Sequence, residues 1–280
     1  MKPFDQLAPL QTADGLLLQV RTWKVVETSR AVILFVHGMG EHGGRYGHIA
    51  ERLAGLGFTC HALDLRGHGR SSGPRGDVDG YPLLLDDLEH YCRAIMEQTD
   101  QPTFFYAHSM GGQLLINLLT QRQVTARGAI ISSPWLELTF RPHPVKVMLS
   151  NLLLRVWPSF TLESGTGPEM MSSDVDHLRS MPELELTHKR MSARMFHELL
   201  AGAAMARAAA AKFTTPLLLL HGDADPITSH QASRAFFEAA ASTDKTLRIY
   251  PGLRHEPHNE PGRETVLNEV QQWLLQRVTG

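Results

Sequence analysis

Three side chains suited to acyl transfer occur in this chain in the order Ser109, Asp225, His255, each just past a run that reads as a strand. Ser109 sits in TFFYAHSMGGQ, residues 103–113, where an apolar run ends at His108-Ser109-Met110 and a helical pattern begins after Gly111 and Gly112. A strand turning sharply into a helix would leave the Ser109 hydroxyl at the apex, the geometry written G-x-S-x-G, here with Ala107 for the first glycine. The bland alternative is a capping serine at a strand-to-helix turn. Later in the chain, HGDAD offers Asp223 and Asp225, and YPGLRH ends at His255. A nucleophile, an acid and a base in this order fit a hydrolase in which a serine attacks and a histidine takes its proton. No pair of histidines has HExxH spacing, so neither a zinc mechanism nor another cofactor is expected.

The elements that must position these residues follow from hydrophobic periodicity. Strands are expected at 16–20 and, apolar on both faces, at 31–36, the first of them looking antiparallel. A helix over 46–56, ended by Gly57, leads to a strand over 58–63, and a helix over 83–96 precedes the Ser109 strand. A strand at 129–132 follows the next helix. The rhythm then breaks until 216–220, and resumes with a helix over 229–241, a strand over 246–250 and a helix over 264–278. Alternation of this kind predicts an α/β protein with a mostly parallel, doubly wound sheet. A parallel crossover needs only about a dozen or more residues, so most of the long interval must be an insertion. It carries an apolar helix at 145–157, an irregular piece around 159–182 and an Ala-rich helical tract at 192–212. The expected division is a core of 1–134 and 214–280, with a helical cap or lid of 135–213 over the sheet end that bears the loops.

Five stretches carry a family resemblance: HGMGEHGGRY (37–46), DLRGHGRSSG (64–73), AHSMGG (107–112), LLLLHGDADPI (217–227) and YPGLRHEPHNE (250–260). Together they span the core but not the cap. The chain resembles the α/β-hydrolase fold, and within it the monoglyceride lipase and lysophospholipase group. That resemblance implies Ser109 as nucleophile, His255 as base and Asp225, rather than Asp223, as the acid. It implies an oxyanion hole from the backbone N–H groups of Met39 and Met110. It further implies a polar pocket for the leaving alcohol at Glu41, Arg45 and His258, although Glu41 and Arg45 at a spacing of four would also make an ordinary surface ion pair. The implied reaction releases fatty acid from monoacylglycerol-like lipids through an acyl-enzyme, with a lysophospholipase as the nearest alternative. An aminopeptidase of this fold would want an acidic cap pocket for an ammonium, and a non-catalytic relative would have lost one of the three residues.

The other histidines read as loop and surface residues. His37 and His68 would hold their motif loops, and His108, beside Ser109 on a sharp turn, should point away from it. In the cap, Val145, Met148, Leu149, Leu152, Leu153, Val156 and Trp157 form one broad face, with Val147 and Leu154 adding apolar surface elsewhere. The helix either packs down on the core or acts as a lid that lines an acyl tunnel and touches a membrane or micelle. At 280 residues with 42% hydrophobic and 20% charged content, the chain has an ordinary globular composition. A net charge of −2 gives no electrostatic reason to expect nucleic acid as a partner. No secretory leader and no apolar run long enough for a membrane span are evident in the sequence. Cys60 and Cys92, on an expected strand and helix, read as free buried thiols, and a cytoplasmic protein with at most peripheral membrane contact is the expectation. Acyl length and oligomeric state are not legible.

Overall fold

The structure, a computed structural model, describes residues 5–6, 9–25, 28–140 and 144–278. Residues 1–4, 7–8, 26–27 and 279–280 of the expected core, and 141–143 of the expected cap, lie outside the described residues. The chain opens with β1 (Asp5–Gln6), a small hairpin of β2 (Leu10–Gln11) and β3 (Leu17–Leu18), β4 (Val20–Trp23) and β5 (Ala31–Val36). Then come α1 (Gly47–Ala54), β6 (Phe58–Leu63), α2 (Tyr81–Met96), β7 (Thr103–His108), α3 (Met110–Gln121) and β8 (Gly128–Ser132). The long interval holds α4 (Pro144–Val156), β9 (Thr161–Glu163), α5 (Pro168–Met171), α6 (Val175–Ser180), β10 (Arg190–Ser192) and α7 (Ala193–Ala208). The chain closes with β11 (Leu217–Gly222), α8 (His230–Ala239), β12 (Lys245–Tyr250) and α9 (Arg263–Val278).

Among the described residues, eight strands form one sheet in the order β1-β4-β6-β5-β7-β8-β11-β12. From β6 to β12 every neighbour is parallel, while β1 and β4 run antiparallel at one edge. The expected strand at 16–20 is split, because Leu17 and Leu18 pair with the hairpin and β4 starts at Val20. Besides β1, the antiparallel partner of β4 is β6 and not β5, which lies parallel between β6 and β7. In the expected irregular piece, β9 instead pairs with β10 and two short helices intervene.

Residues of β5 show why the sheet is buried on both faces. Val32, Leu34 and Val36 pack into a core shared with α2, α3, α7 and α8, whereas Ala31, Ile33 and Phe35 face α1 and α9. Full burial of each larger side chain is worth about 1.5–3 kcal/mol. Cys60 and Cys92 are buried and unpaired, and burial pushes both thiols well above their usual pKa.

The apolar helix α4 does not pack its broad face on the core. Met148 is 67% exposed, Val156 69% and Trp157 58%, while Val147, Leu149 and Leu153 line a cavity of about 740 Å³ beneath the helix. The opposite wall comes from the loops at the carboxyl ends of β5, β7 and β12, including Gly38, Ser109 and His255.

Candidate active site

Ser109 is the residue between β7 and α3, with φ 53° and ψ −117°. A non-glycine residue there costs about 1–3 kcal/mol and persists only where its surroundings fix it. They do: Ser109 N–H donates to the Ser132 carbonyl at 3.0 Å, and its own carbonyl accepts from Gln113 (3.2 Å) and Trp135 (3.0 Å). Helix α3 can lie tight against β5 because Gly111 has no Cβ, which would meet the carbonyl oxygens of Val36 and His37. Ala107, two residues before Ser109, is fully buried and joins the core facing α2 and α3. Its methyl group is therefore absorbed by packing on one face of β7, away from the turn itself.

The loop after β12 delivers His255 to the serine. The Ser109 hydroxyl lies 2.9 Å from His255 Nε2, and His255 Nδ1 lies 2.7 Å from Asp225 Oδ2. With Asp225 as acceptor, Nδ1 carries the proton and Nε2 is free to accept from Ser109. Asp225 Oδ1 accepts the backbone N–H groups of Ile227 (2.7 Å) and Thr228 (3.0 Å), and Oδ2 also accepts from Thr228 Oγ1 at 2.8 Å. Burial opposes the charge on Asp225, but His255 and hydrogen bonds from His221 and His255 outweigh it and hold the carboxyl well below its usual pKa. Burial likewise opposes protonation of His255, yet Asp225 and, further off, Glu256 and Glu41 raise its pKa above 6.5. Asp223 does none of this; it turns outward and accepts the Gly252 N–H at 2.7 Å.

Met39 follows Gly38 at the end of β5, and Met110 begins α3 directly after Ser109. Both Gly38 and Met39 line the cavity beside Ser109. Gly38 N–H is taken by Glu41 Oε1 at 2.5 Å. Glu41 in turn accepts from Tyr46 Oη at 2.9 Å and lies 3.4 Å from Arg45. Arg45 is no surface cation: its side chain is only 12% exposed and reaches Glu256 Oε2 at 2.8 Å. Burial pushes the Glu41 carboxyl up, against the pull of Arg45, while at Glu256 Arg45 overcomes burial and lowers it.

Glu41, Arg45 and Glu256 all line the cavity. His258, expected with them, is buried behind that wall, its ring 5.0 Å from His108 and 5.6 Å from Tyr46. Burial lowers its pKa to about 3, against the opposing pull of Glu256, so it is a neutral packing group. His108 is buried too, its Nδ1 3.1 Å from the Ser132 carbonyl, and burial holds it neutral. Glu256 and His221 are the two site residues that sequence reasoning passed over. Glu256 adjoins His255 in the motif, and His221 is a polar residue at the end of an otherwise apolar buried strand.

A hydroxyl facing a neutral imidazole, backed by an ionised and fully hydrogen-bonded carboxylate, can lose its proton as it attacks a carbonyl carbon. A family model described as serine aminopeptidase, S33 matches residues 27–262. The chain is similar to the monoglyceride lipase of Mus musculus, 33% identical over 99% of this chain and 92% of that protein. It is 34% identical to an uncharacterized abhydrolase domain-containing protein of Dictyostelium discoideum, covering 98% of this chain but only 29% of that longer protein. Among solved structures, the monoacylglycerol lipase of Paleococcus ferrophilus superposes with a TM-score of 0.83 at 31% identity, covering 93% of this chain and 99% of that one. Its fold, its buried serine site and these likenesses place the chain in the serine aminopeptidase S33 family of the α/β-hydrolase fold, as a serine ester hydrolase of the monoglyceride lipase group.

Proposed function

We propose that the protein releases fatty acid from monoacylglycerol-like lipids through an acyl-enzyme on Ser109. His255 takes the Ser109 proton as the hydroxyl attacks the ester carbonyl, and then gives it to the departing alcohol. Asp225 keeps His255 in the required tautomer and stabilises the imidazolium. The N–H groups of Met39 and Met110 receive the developing oxyanion. Water, activated by the same histidine, completes the cycle by freeing the fatty acid. In this reading residues 135–213 are the cap and 1–134 with 214–280 the core, the acyl chain lying between them.

The observation that carries the choice of substrate is the pairing of Arg45 with two buried carboxylates. A polyol can donate to Glu41 or Glu256 and accept from Arg45. A phosphodiester head group would meet two carboxylates and a guanidinium already engaged by them, a costly arrangement away from water. The same wall is polar but not an open acidic pocket, which disfavours an aminoacyl amide. The outward apolar face of α4 supports a transient contact of the cap with a lipid surface; no described helix is long and apolar enough to cross a membrane.

A hydrolysis panel of monooleoylglycerol, lysophosphatidylcholine and an aminoacyl amide tests this reading. Monooleoylglycerol should lead lysophosphatidylcholine by at least about 10-fold in kcat/KM, equivalent to ~1.4 kcal/mol of transition-state binding. Preference for the lysophospholipid would contradict it.

A further inference from the structure

A second histidine sits on the carboxylate that serves His255. His221 is the penultimate residue of β11, fully buried, with Nε2 3.0 Å from Asp225 Oδ2 and 3.1 Å from the Thr228 carbonyl. Both partners are acceptors, so Nε2 carries the proton. Nδ1 is then a lone pair, and it accepts from Ser233 Oγ on α8 at 2.8 Å. Every polar position of the neutral ring is thus satisfied, and the two acceptors at Nε2 fix which nitrogen donates.

The oxygen that His221 binds is the same Oδ2 that binds His255 Nδ1, at 2.7 Å. Three donors therefore converge on it: His255, His221 and Thr228 Oγ1. Thr228 also donates its backbone N–H to Oδ1, so the carboxylate is held at both oxygens. We infer that His221 is a positioning residue for the ester hydrolysis: its Nε2–H holds Asp225 in line with His255 and moderates how strongly Asp225 stabilises the His255 imidazolium. This rests on the assignment of Ser109, His255 and Asp225 in the proposed function.

The direction of the effect follows from charge sharing. Each donor on Oδ2 spreads the negative charge of Asp225, so loss of one leaves more of that charge on His255. Loss of the His221 donor should make His255 easier to protonate and move the acid limb of the rate profile to higher pH. Other groups around the pair stay in place. His230 on α8 is 6.3 Å from the His221 ring, and His108 is 4.8 Å from the His255 ring. Glu256 and Glu41 add negative charge near His255. Burial lowers the pKa of His221 itself, against the opposing pull of Asp225, so it acts as a neutral donor through the working range.

The test compares His221→Leu, which removes the donor, with His221→Gln, whose amide can donate from the same place. The pH dependence of kcat/KM on a soluble ester and the rate of fluorophosphonate labelling at Ser109 are both measured. The expected result for His221→Leu is a loss of about 10-fold, mostly in kcat, with the acid limb displaced upward, and His221→Gln recovering most of both. Ser233→Ala, which removes the hydroxyl that holds the His221 ring without emptying the site, should move the limb in the same direction by less, and it serves if the leucine variant does not fold. An acid limb unmoved in the leucine and alanine variants, or a glutamine variant as impaired as the leucine one, would overturn the proposal. Absence of label on Ser109 in the unaltered protein would instead overturn the serine assignment, and this proposal with it.

Discussion

The carbonyl oxygen of His188 occupies the space that a Cβ on Gly40 would need. Gly40 has φ 77°, and its carbonyl accepts the His188 N–H at 2.8 Å. The segment leading into β10 is thereby fastened to the loop that bears Met39. Gly40→Ala would add left-handed backbone strain to a collision with main chain that cannot rotate away. The expected outcome is a kcat at least about 10-fold lower, because the Met39 N–H leaves its position, together with a lower Tm. Steady-state kinetics and a thermal melt check this, and unchanged values would remove the link between the two segments.

Arg45 pairs with two buried carboxylates at once, and its removal should be felt first in stability. In Arg45→Met, Glu41 and Glu256 remain buried without a cation, a loss of about 3–5 kcal/mol. The deficit should shrink as pH falls toward the range where buried carboxyls protonate, since neutral acids no longer need the guanidinium. Adding Glu256→Gln to Arg45→Met should restore part of the loss. Denaturant melts at pH 8 and pH 5 measure both effects.

Much of this was legible in the sequence because a parallel sheet sends its loops to one end. Ser109, Asp225 and His255 each follow a strand, so reading the strands places them together. The choice between Asp223 and Asp225 was not legible in spacing; in the structure Asp223 turns to Gly252 while Asp225 turns inward to His255. Ala107, a departure from the turn pattern, is accommodated because the methyl enters the core. His258 matched its motif yet packs behind the cavity wall, and Glu256, its neighbour, meets Arg45 instead. The interval between β8 and β11 was the hardest part. Its short elements β9, α5, α6 and β10 are held by contacts to core loops, such as Ser173 to Glu260 at 3.0 Å, rather than by periodicity of their own.

The rate should depend on pH through His255. The base must be neutral to accept the Ser109 proton, and its pKa is raised by Asp225 despite burial. Activity should therefore fall as pH drops through a value above about 6.5, the pKa of a free imidazole. A profile of kcat/KM between pH 5 and 9 on a soluble ester reads this directly. An acid limb below 6.5 would mean that burial outweighs the carboxylate.

The exposed face of α4 should matter only where there is a lipid surface. Leu152 is 55% exposed and Val156 69%, and burying one such side chain is worth about 1.5–3 kcal/mol. Leu152→Glu and Val156→Glu should each reduce hydrolysis of vesicle-borne monoacylglycerol by roughly 10-fold, while turnover of a short soluble ester stays the same. Equal loss on both substrates would assign the face to folding instead of lipid contact.

The central claim is that an acyl group passes through Ser109, and a quench experiment followed by mass spectrometry tests it most directly. Mixing the protein with monooleoylglycerol and quenching in acid within the first turnover should leave an oleoyl ester on the peptide containing Ser109. Ser109→Ala should carry no adduct and turn over no substrate. An adduct on another residue, or full activity in Ser109→Ala, would contradict the account.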